Sequence, residues 1–163
     1  MGQQVRFGDD HTVNLITNGM LTLLRHPEHL ERLRAAPAMA PRLVEELLRY
    51  EPPVHYCTRL ALAEIEIGGV KIPKGSPVVL LLAAGSRDPD RESNAHFGFG
   101  GSLHHCVGAP LARIEGEVAL VALARRLLNP RLVEAVPPYR PGTSLRGPRH
   151  LPIAIDGIID WAG

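Results

Sequence analysis

The sequence predicts an α+β fold, mainly helical, and three observations carry that expectation. Apolar residues recur at helical spacing through most of the first fifty positions and again after residue 110. Over 64–82 the period changes to alternation and then to a short continuous apolar run, the pattern of strands. Glycine and proline, 16 and 15 of 163 residues, fall mostly between these stretches, where turns call for them. The length suits a single domain and leaves no room for two ordinary ones.

Taken in order, residues 1–10 are polar and unpatterned. From His11, Val13, Ile16, Met20, Leu23 and Leu24 share one helical face until Pro27. Pro27 opens a short helix through Arg34 with Leu30 and Leu33 turned inward. Pro37 and Pro41 bracket a linker, and Pro41 also starts a third helix that carries Leu43, Val44, Leu47 and Leu48 and stops before Pro52. Ile65 and Ile67 alternate with Glu64 and Glu66, Gly68-Gly69 turns the chain, and Val70-Lys71-Ile72 returns as a hairpin. A strand is expected over 76–82 and a loop without period over 94–108. The longest helix follows over 111–128, with Leu111, Ile114, Val118, Val121 and Ala122 on one face, and a last short strand over 152–155.

Composition narrows the function. Eighteen basic and seventeen acidic residues leave a formal charge of +1, which gives no electrostatic case for nucleic acid or an anionic membrane. An aromatic fraction of 4% is too low for a platform on which bases stack. Lysine occurs only at 71 and 74, so the positive charge is nearly all arginine, suited to bidentate carboxylate partners. Two cysteines, Cys57 and Cys106, could form one disulfide at most. With no signal-like start and no apolar run long enough to span a bilayer, a cytoplasmic protein without membrane contact is expected.

Two segments could carry chemistry. The loop Phe99-Gly100-Gly101-Ser102-Leu103-His104-His105-Cys106-Val107-Gly108 sits directly before the long helix. A cysteine ahead of a helix start lies near unsatisfied backbone N–H groups, which favour the metal-binding thiolate. Gly98, Gly100, Gly101 and Gly108 would let the backbone approach something large and flat. Taken alone, the cysteine also reads as a packed thiol; a zinc set of His96, His104, His105 and Cys106 has the wrong spacing for the usual paired arrangement. The other segment is Glu46-Leu47-Leu48-Arg49, whose i, i+3 spacing puts carboxylate and guanidinium on one helix face. Such a pair is commonplace and by itself decides nothing.

In this order the segments resemble the cytochrome P-450 family of haem-thiolate monooxygenases. Phe99, Cys106 and Gly108 match its cysteine signature, and Glu46 with Arg49 matches its Glu-x-x-Arg pair. Thr58-Arg59, Ile65-Glu66-Ile67-Gly68-Gly69 and Ile72-Pro73-Lys74-Gly75 match the strands after that helix. Ala109-Pro110-Leu111-Ala112-Arg113 and Glu115 match the bacterial form of the helix after the cysteine. The resemblance runs from about residue 5 to 156 and covers the C-terminal portion of that fold. It implies haem b as cofactor, Cys106 as axial ligand of the iron, and His104 and Arg59 as donors to the haem propionates. Phe99, Gly100 and Gly108 would shape the loop under the haem, and Glu46 and Arg49 would form a structural pair. Residues 53–56 and the strand near Val79 would face a ligand. A ferredoxin or flavoprotein reductase would supply electrons.

Three departures accompany the match. The family fold takes roughly two to three times this length in one domain, so 1–163 reads as a single partial domain, with 1–10 as a frayed or disordered start of the family's central helix. Its apolar faces then call for self-association or a partner chain. At the family's oxygen-activating segment, Gly8 is kept, Asp10 stands for the acid, His11 replaces the threonine and Phe7 replaces a small alanine. The stretch from Arg87 to His96 is also too short for the family's meandering loop, an internal deletion. That leaves Arg87 and Arg91 to replace an arginine that completes a triad with the Glu-x-x-Arg pair. Ser102 takes the place of a common glycine, His105 carries no role, and Cys57, away from the signature, reads as a plain buried or half-buried thiol. These departures imply impaired or absent turnover by the isolated chain. The alternatives are a non-catalytic accessory that binds haem or a partner protein, and a gene remnant.

Overall fold

The computed structural model describes residues 2–88, 95–142 and 144–160, with side chains from His11 onward. Helix α1 spans Gly2–Arg25, so the unpatterned first residues continue its backbone; α2 is Pro27–Ala35 and α3 is Ala40–Tyr50. Proline sets these boundaries. Pro27 and Pro41 occupy the first turns of α2 and α3, where no N–H is needed. Ala36 is held out of the helical region by Pro37 behind it, and Pro52-Pro53 follows α3.

Among the described residues, four two-stranded antiparallel ladders take the place of a single small sheet. Strand β1 (Cys57–Leu60) pairs β4 (Pro77–Leu80), and β2 (Ile65–Ile67) pairs β3 (Val70–Ile72). The β2–β3 turn needs Gly68 and Gly69, both at positive φ. The strand expected over 76–82 ends at Leu80, because Leu82 already begins helix α4 (Leu82–Arg87). A continuous apolar run carries no period, so it cannot tell a buried strand from a buried helical turn.

Helix α5 covers Ala109–Arg126, starting two residues earlier than expected and giving up Leu127–Leu128 to strand β5. Strand β5 pairs β8 (Gly157–Ile158), and β6 (Arg131–Leu132) pairs β7 (Ile153–Ala154). Arg34 closes the C-terminal end of α5, its Nε donating to the Ala124 carbonyl (2.8 Å) and its Nη2 to Leu127 (3.1 Å). Those carbonyls have no partner within the helix.

The core lies where α1, α2, α3 and α5 meet, built from Leu15, Met20, Leu23, Leu30, Leu33, Val44, Leu47, Leu48, Leu120 and Ala124. Each fully buried leucine contributes about 1.5–3 kcal/mol. Glycines set the helix spacing: a Cβ at Gly19 would lie 3.1 Å from Leu47 Cδ1, and one at Gly116 would lie 3.2 Å from Leu15 Cδ2. The inward face of α5 differs from expectation. Ala109, Gly116, Leu120 and Ala124 are buried, whereas Leu111, Ile114 and Val118 are 60%, 58% and 65% exposed. Those three residues form a second apolar face that lines a cavity. Among the described residues, no helix is long and apolar enough to cross a membrane.

Candidate active site

A cavity of 960 Å³ opens between α1, α5, β1 and the cysteine loop. This is the upper end of the size range usual for ligand pockets, about 300–1,000 Å³. Cys106, His104, Gly100 and Gly108 line it from the loop, and Phe99 joins them. Arg59 lines it from β1 and His11 from α1. The residues singled out from the sequence in the loop, on β1 and at His11 therefore share one cavity. The side chains of Phe7 and Asp10 are not among those described, and Arg91 lies outside the described residues.

The loop folds as it does for local reasons. Gly100, at φ +72°, lets its N–H donate to the Phe97 carbonyl (2.8 Å). A Cβ there would meet the His104 carbonyl oxygen at 3.1 Å. The Cys106 N–H then donates to the Phe99 carbonyl (2.9 Å), and the Cys106 carbonyl accepts from Ala109 N–H (3.2 Å) as α5 begins. Cys106 is exposed and free. A Cβ added at Gly108 would lie 3.7 Å from its Sγ, an ordinary van der Waals contact. Ser102 adopts φ +53°, a left-handed backbone at the position where the family commonly has glycine. The zinc alternative fails on grouping: among the described residues, no three His, Cys, Asp or Glu side chains gather to hold a metal ion.

Strand β1 gives Cys57 the half-buried thiol expected and brings it to the cavity of the cysteine loop. Cys57 and Arg59 are half-buried while Thr58 and Leu60 are exposed, and the two-residue period puts the thiol and the guanidinium on one face. Cys57 thus lines the same cavity as Cys106, and both thiols are free. Its place two residues before Arg59 on a strand was the signal available. Arg59 donates from Nη1 to the Thr58 carbonyl at 3.0 Å. Pro53 and Val54 also line the cavity, whereas Val79 does not.

Glu46 and Arg49 form the expected pair: Arg49 Nε donates to Oε2 at 2.8 Å and Nη2 to Oε1. That bond pushes the Arg49 guanidinium above its usual range. Arg87 does not extend the pair. Its Nε donates to the Tyr50 carbonyl (2.6 Å), its Nη2 meets Glu51 Oε1 (3.1 Å), and it lies over the Tyr50 ring.

The neighbouring carboxylate, Glu45, has partners that no local spacing reveals. Arg113 Nε donates to its Oε1 at 2.6 Å and Nη2 to its Oε2 at 3.2 Å, while His96 Nε2 lies 3.1 Å from Oε2. The Arg113 bond is the main reason the Glu45 carboxyl is held below the usual range; burial opposes the shift and His96 assists it. The same bond raises Arg113.

Comparison with known proteins follows the same lines. The family model for cytochrome P-450 matches residues 38–91. The biotin biosynthesis cytochrome P-450 of Bacillus subtilis (strain 168) is 39% identical over 160 residues, taking in 91% of this chain and 40% of that protein. The 6-deoxyerythronolide B hydroxylase of Saccharopolyspora erythraea is 41% identical over 165 residues, with 92% of this chain and 40% of that protein covered. The structure of cytochrome P-450 CYP109Q5 from Chondromyces apiculatus superposes with a TM-score of 0.84 at 35% identity, over 91% of this chain and 41% of the other.

The loop, the helix behind it and the strands beside it define a truncated cytochrome P-450 fold. In sequence and structure the chain corresponds to the C-terminal portion of a bacterial-type cytochrome P-450, a family whose cofactor is haem b. It spans about 40% of the length of the curated relatives it matches.

Proposed function

We propose that this chain forms the thiolate side of a haem-thiolate oxidoreductase site of the monooxygenase type, in which the Cys106 thiolate would hold the iron. The observation that carries the reading is the single cavity lined by Cys106, Arg59 and His104. Its residue types suit the group: a soft thiolate for iron, cationic donors for two carboxylates, and apolar walls for a flat macrocycle. The free, exposed Cys106 thiol supports the fit. When bound, thiolate-ligated haem supplies the chemistry of dioxygen activation, since the thiolate pushes electron density toward iron.

The chain's own residues have separate tasks in this reading. The loop's Cys106 N–H to Phe99 carbonyl bond fixes the backbone that carries the thiol. Arg59 and His104, cationic donors lining the cavity, would hold the two propionates. Asp10 and His11 stand at the acid and threonine positions of the family's proton relay, and an imidazole can pass protons near neutral pH. A ferredoxin or flavoprotein reductase would deliver electrons. The exposed apolar side chains Leu103, Val107, Leu111 and Val118 suit a further wall from additional sequence, a second copy or a partner chain.

One observation favours a second reading, a non-catalytic haem-binding accessory: His11 lines the cavity where the family has a hydroxyl, and a neutral imidazole is itself an iron ligand. The carbon monoxide difference spectrum of the haem-supplied, reduced protein separates the readings. The red-shifted Soret band of thiolate-ligated haem is expected, and Cys106→Ser should abolish it. A blue-shifted band means haem without its thiolate and favours the accessory reading. Absence of any haem band removes both.

A further inference from the structure

His96 and Arg113 stand on either side of Cys106 in the sequence, yet both bond to one carboxylate on α3, from which they lie 51 and 68 positions away. The bonding is directional. Arg113 meets Glu45 with two donors, at 2.6 and 3.2 Å, the fork geometry that fixes orientation as well as distance. The Gly98 N–H donates to His96 Nδ1 at 3.0 Å. That bond requires a bare Nδ1, so hydrogen bonding assigns the ring's single proton to Nε2, aimed at Glu45 Oε2. The His96 side chain is only 7% exposed, and Gly98 leaves no slack, since a Cβ there would meet His96 Nδ1 and the Leu48 carbonyl oxygen at 3.1 Å each.

From Arg113 the path continues to the cysteine. Its guanidinium lies 4.6 Å over the Phe99 ring, a favourable cation–π placement. The Phe99 carbonyl in turn accepts the Cys106 N–H at 2.9 Å. Carboxylate, guanidinium, aromatic ring and cysteine amide form a continuous series.

We infer that Glu45 is a positioning residue that clasps both ends of the cysteine loop, His96 on one side and Arg113 on the other, and thereby sets where Cys106 sits. Its significance for iron ligation rests on the proposed function; the clasp itself does not. Glu45→Gln replaces an acceptor with an amide N–H that faces Arg113 Nε in one orientation and both Arg113 Nη2 and His96 Nε2 in the other, so at least one bond is lost whichever way the amide turns. His96→Ala removes the other half. His96→Gln keeps an N–H donor near the Nε2 position and should restore the bond.

The test is amide hydrogen exchange on the haem-free chain, followed by the carbon monoxide spectrum after haem is supplied. Glu45→Gln and His96→Ala should speed exchange over 96–108 roughly tenfold, with α1 changing far less and His96→Gln staying near the parent protein. In haem-loaded protein, the same two variants should lose part of the red-shifted band to the blue-shifted one. Unchanged loop exchange in both variants overturns the clasp, and so does equal acceleration throughout the chain. If Glu45→Gln does not fold, the contrast between His96→Ala and His96→Gln reads the same bond. A parent protein that takes up no haem would sink the proposed function while leaving the exchange result to decide the clasp.

Discussion

Gly147 and Asn14 are the sharpest steric coupling in the molecule. A Cβ placed on Gly147 would lie 2.2 Å from Asn14 Oδ1, 2.6 Å from its Cγ and 3.1 Å from its Cβ. Asn14 is 1% exposed, so its amide has no solvent to swing into. Gly147 is not among the positive-φ residues, and alanine there is penalised by contact alone. Overpacking costs about 1–3 kcal/mol, and a gap this small belongs at the top of that range. The stiffer unfolded chain returns about 0.4–1 kcal/mol, leaving Gly147→Ala destabilised by about 2 kcal/mol. Asn14→Ala removes the atoms that collide and with them Oδ1, a buried acceptor without a hydrogen-bond partner. Leaving such an acceptor unpaired has its own cost, so Asn14→Ala alone should cost only about 1 kcal/mol. The double variant should be more stable than Gly147→Ala by roughly 1 kcal/mol, and more stable than the sum of the single changes by about 2 kcal/mol, a coupling well above the few tenths expected of independent sites. Urea unfolding of all four proteins, followed by circular dichroism, measures this. Additivity within about 0.5 kcal/mol would show that α1 and the tail do not meet as described.

Other consequences can be checked on the same preparations. Ser102 holds φ +53°, which costs an L-residue about 1–2 kcal/mol, while glycine loses about 0.5–1 kcal/mol more entropy on folding. Ser102→Gly should therefore stabilise the chain by about 0.5–1 kcal/mol; a lower melting temperature would contradict the strain. His55 has its pKa lowered, chiefly by burial, then by Arg146 and Arg87 against an opposing Glu51. Its unfolded form takes up a proton first, so stability should fall as pH drops below about 6.5 until the folded form also protonates. His55→Gln should flatten the stability profile in that window, and parallel profiles would show that His55 does not contribute.

How much was legible in the sequence followed from how local the signal is. Helices α1 to α3 announce themselves through leucine spacing and proline punctuation, and the β2–β3 hairpin through alternation about Gly68-Gly69. Helix α5 is apolar on more than one face, so its period could not say which stripe meets the core. The small residues Gly116 and Ala124 do so because close helix packing, rather than hydrophobicity, selects them. The cysteine loop was readable as a motif. Glu45, by contrast, bonds partners 51 and 68 residues away, and its neighbour Glu46 held the only regular spacing. That Cys57 shares a cavity with Cys106 was not read, because the two are distant in sequence, although the strand period pairs Cys57 with Arg59.

The last stretch of the chain returns to the first helix. Asn18 Nδ2 donates to the Arg146 carbonyl at 3.0 Å, a separation of 128 positions, and Arg25 Nη2 reaches the Ala135 carbonyl, 110 positions on. Strapped beside them, the Arg146 N–H bonds the Pro53 carbonyl, and the His55 N–H bonds Ser144. Contacts this distant are formed late, because the entropy of closing so long a loop is lost before any bond repays it. Folding is thus ordered in time: the helices can collapse on one another early, while the cavity wall at Pro53 and Val54 takes its final shape only when the tail docks. On a ribosome, where the tail is the last of these segments to emerge, that wall is completed only after nearly all of the described chain has been made.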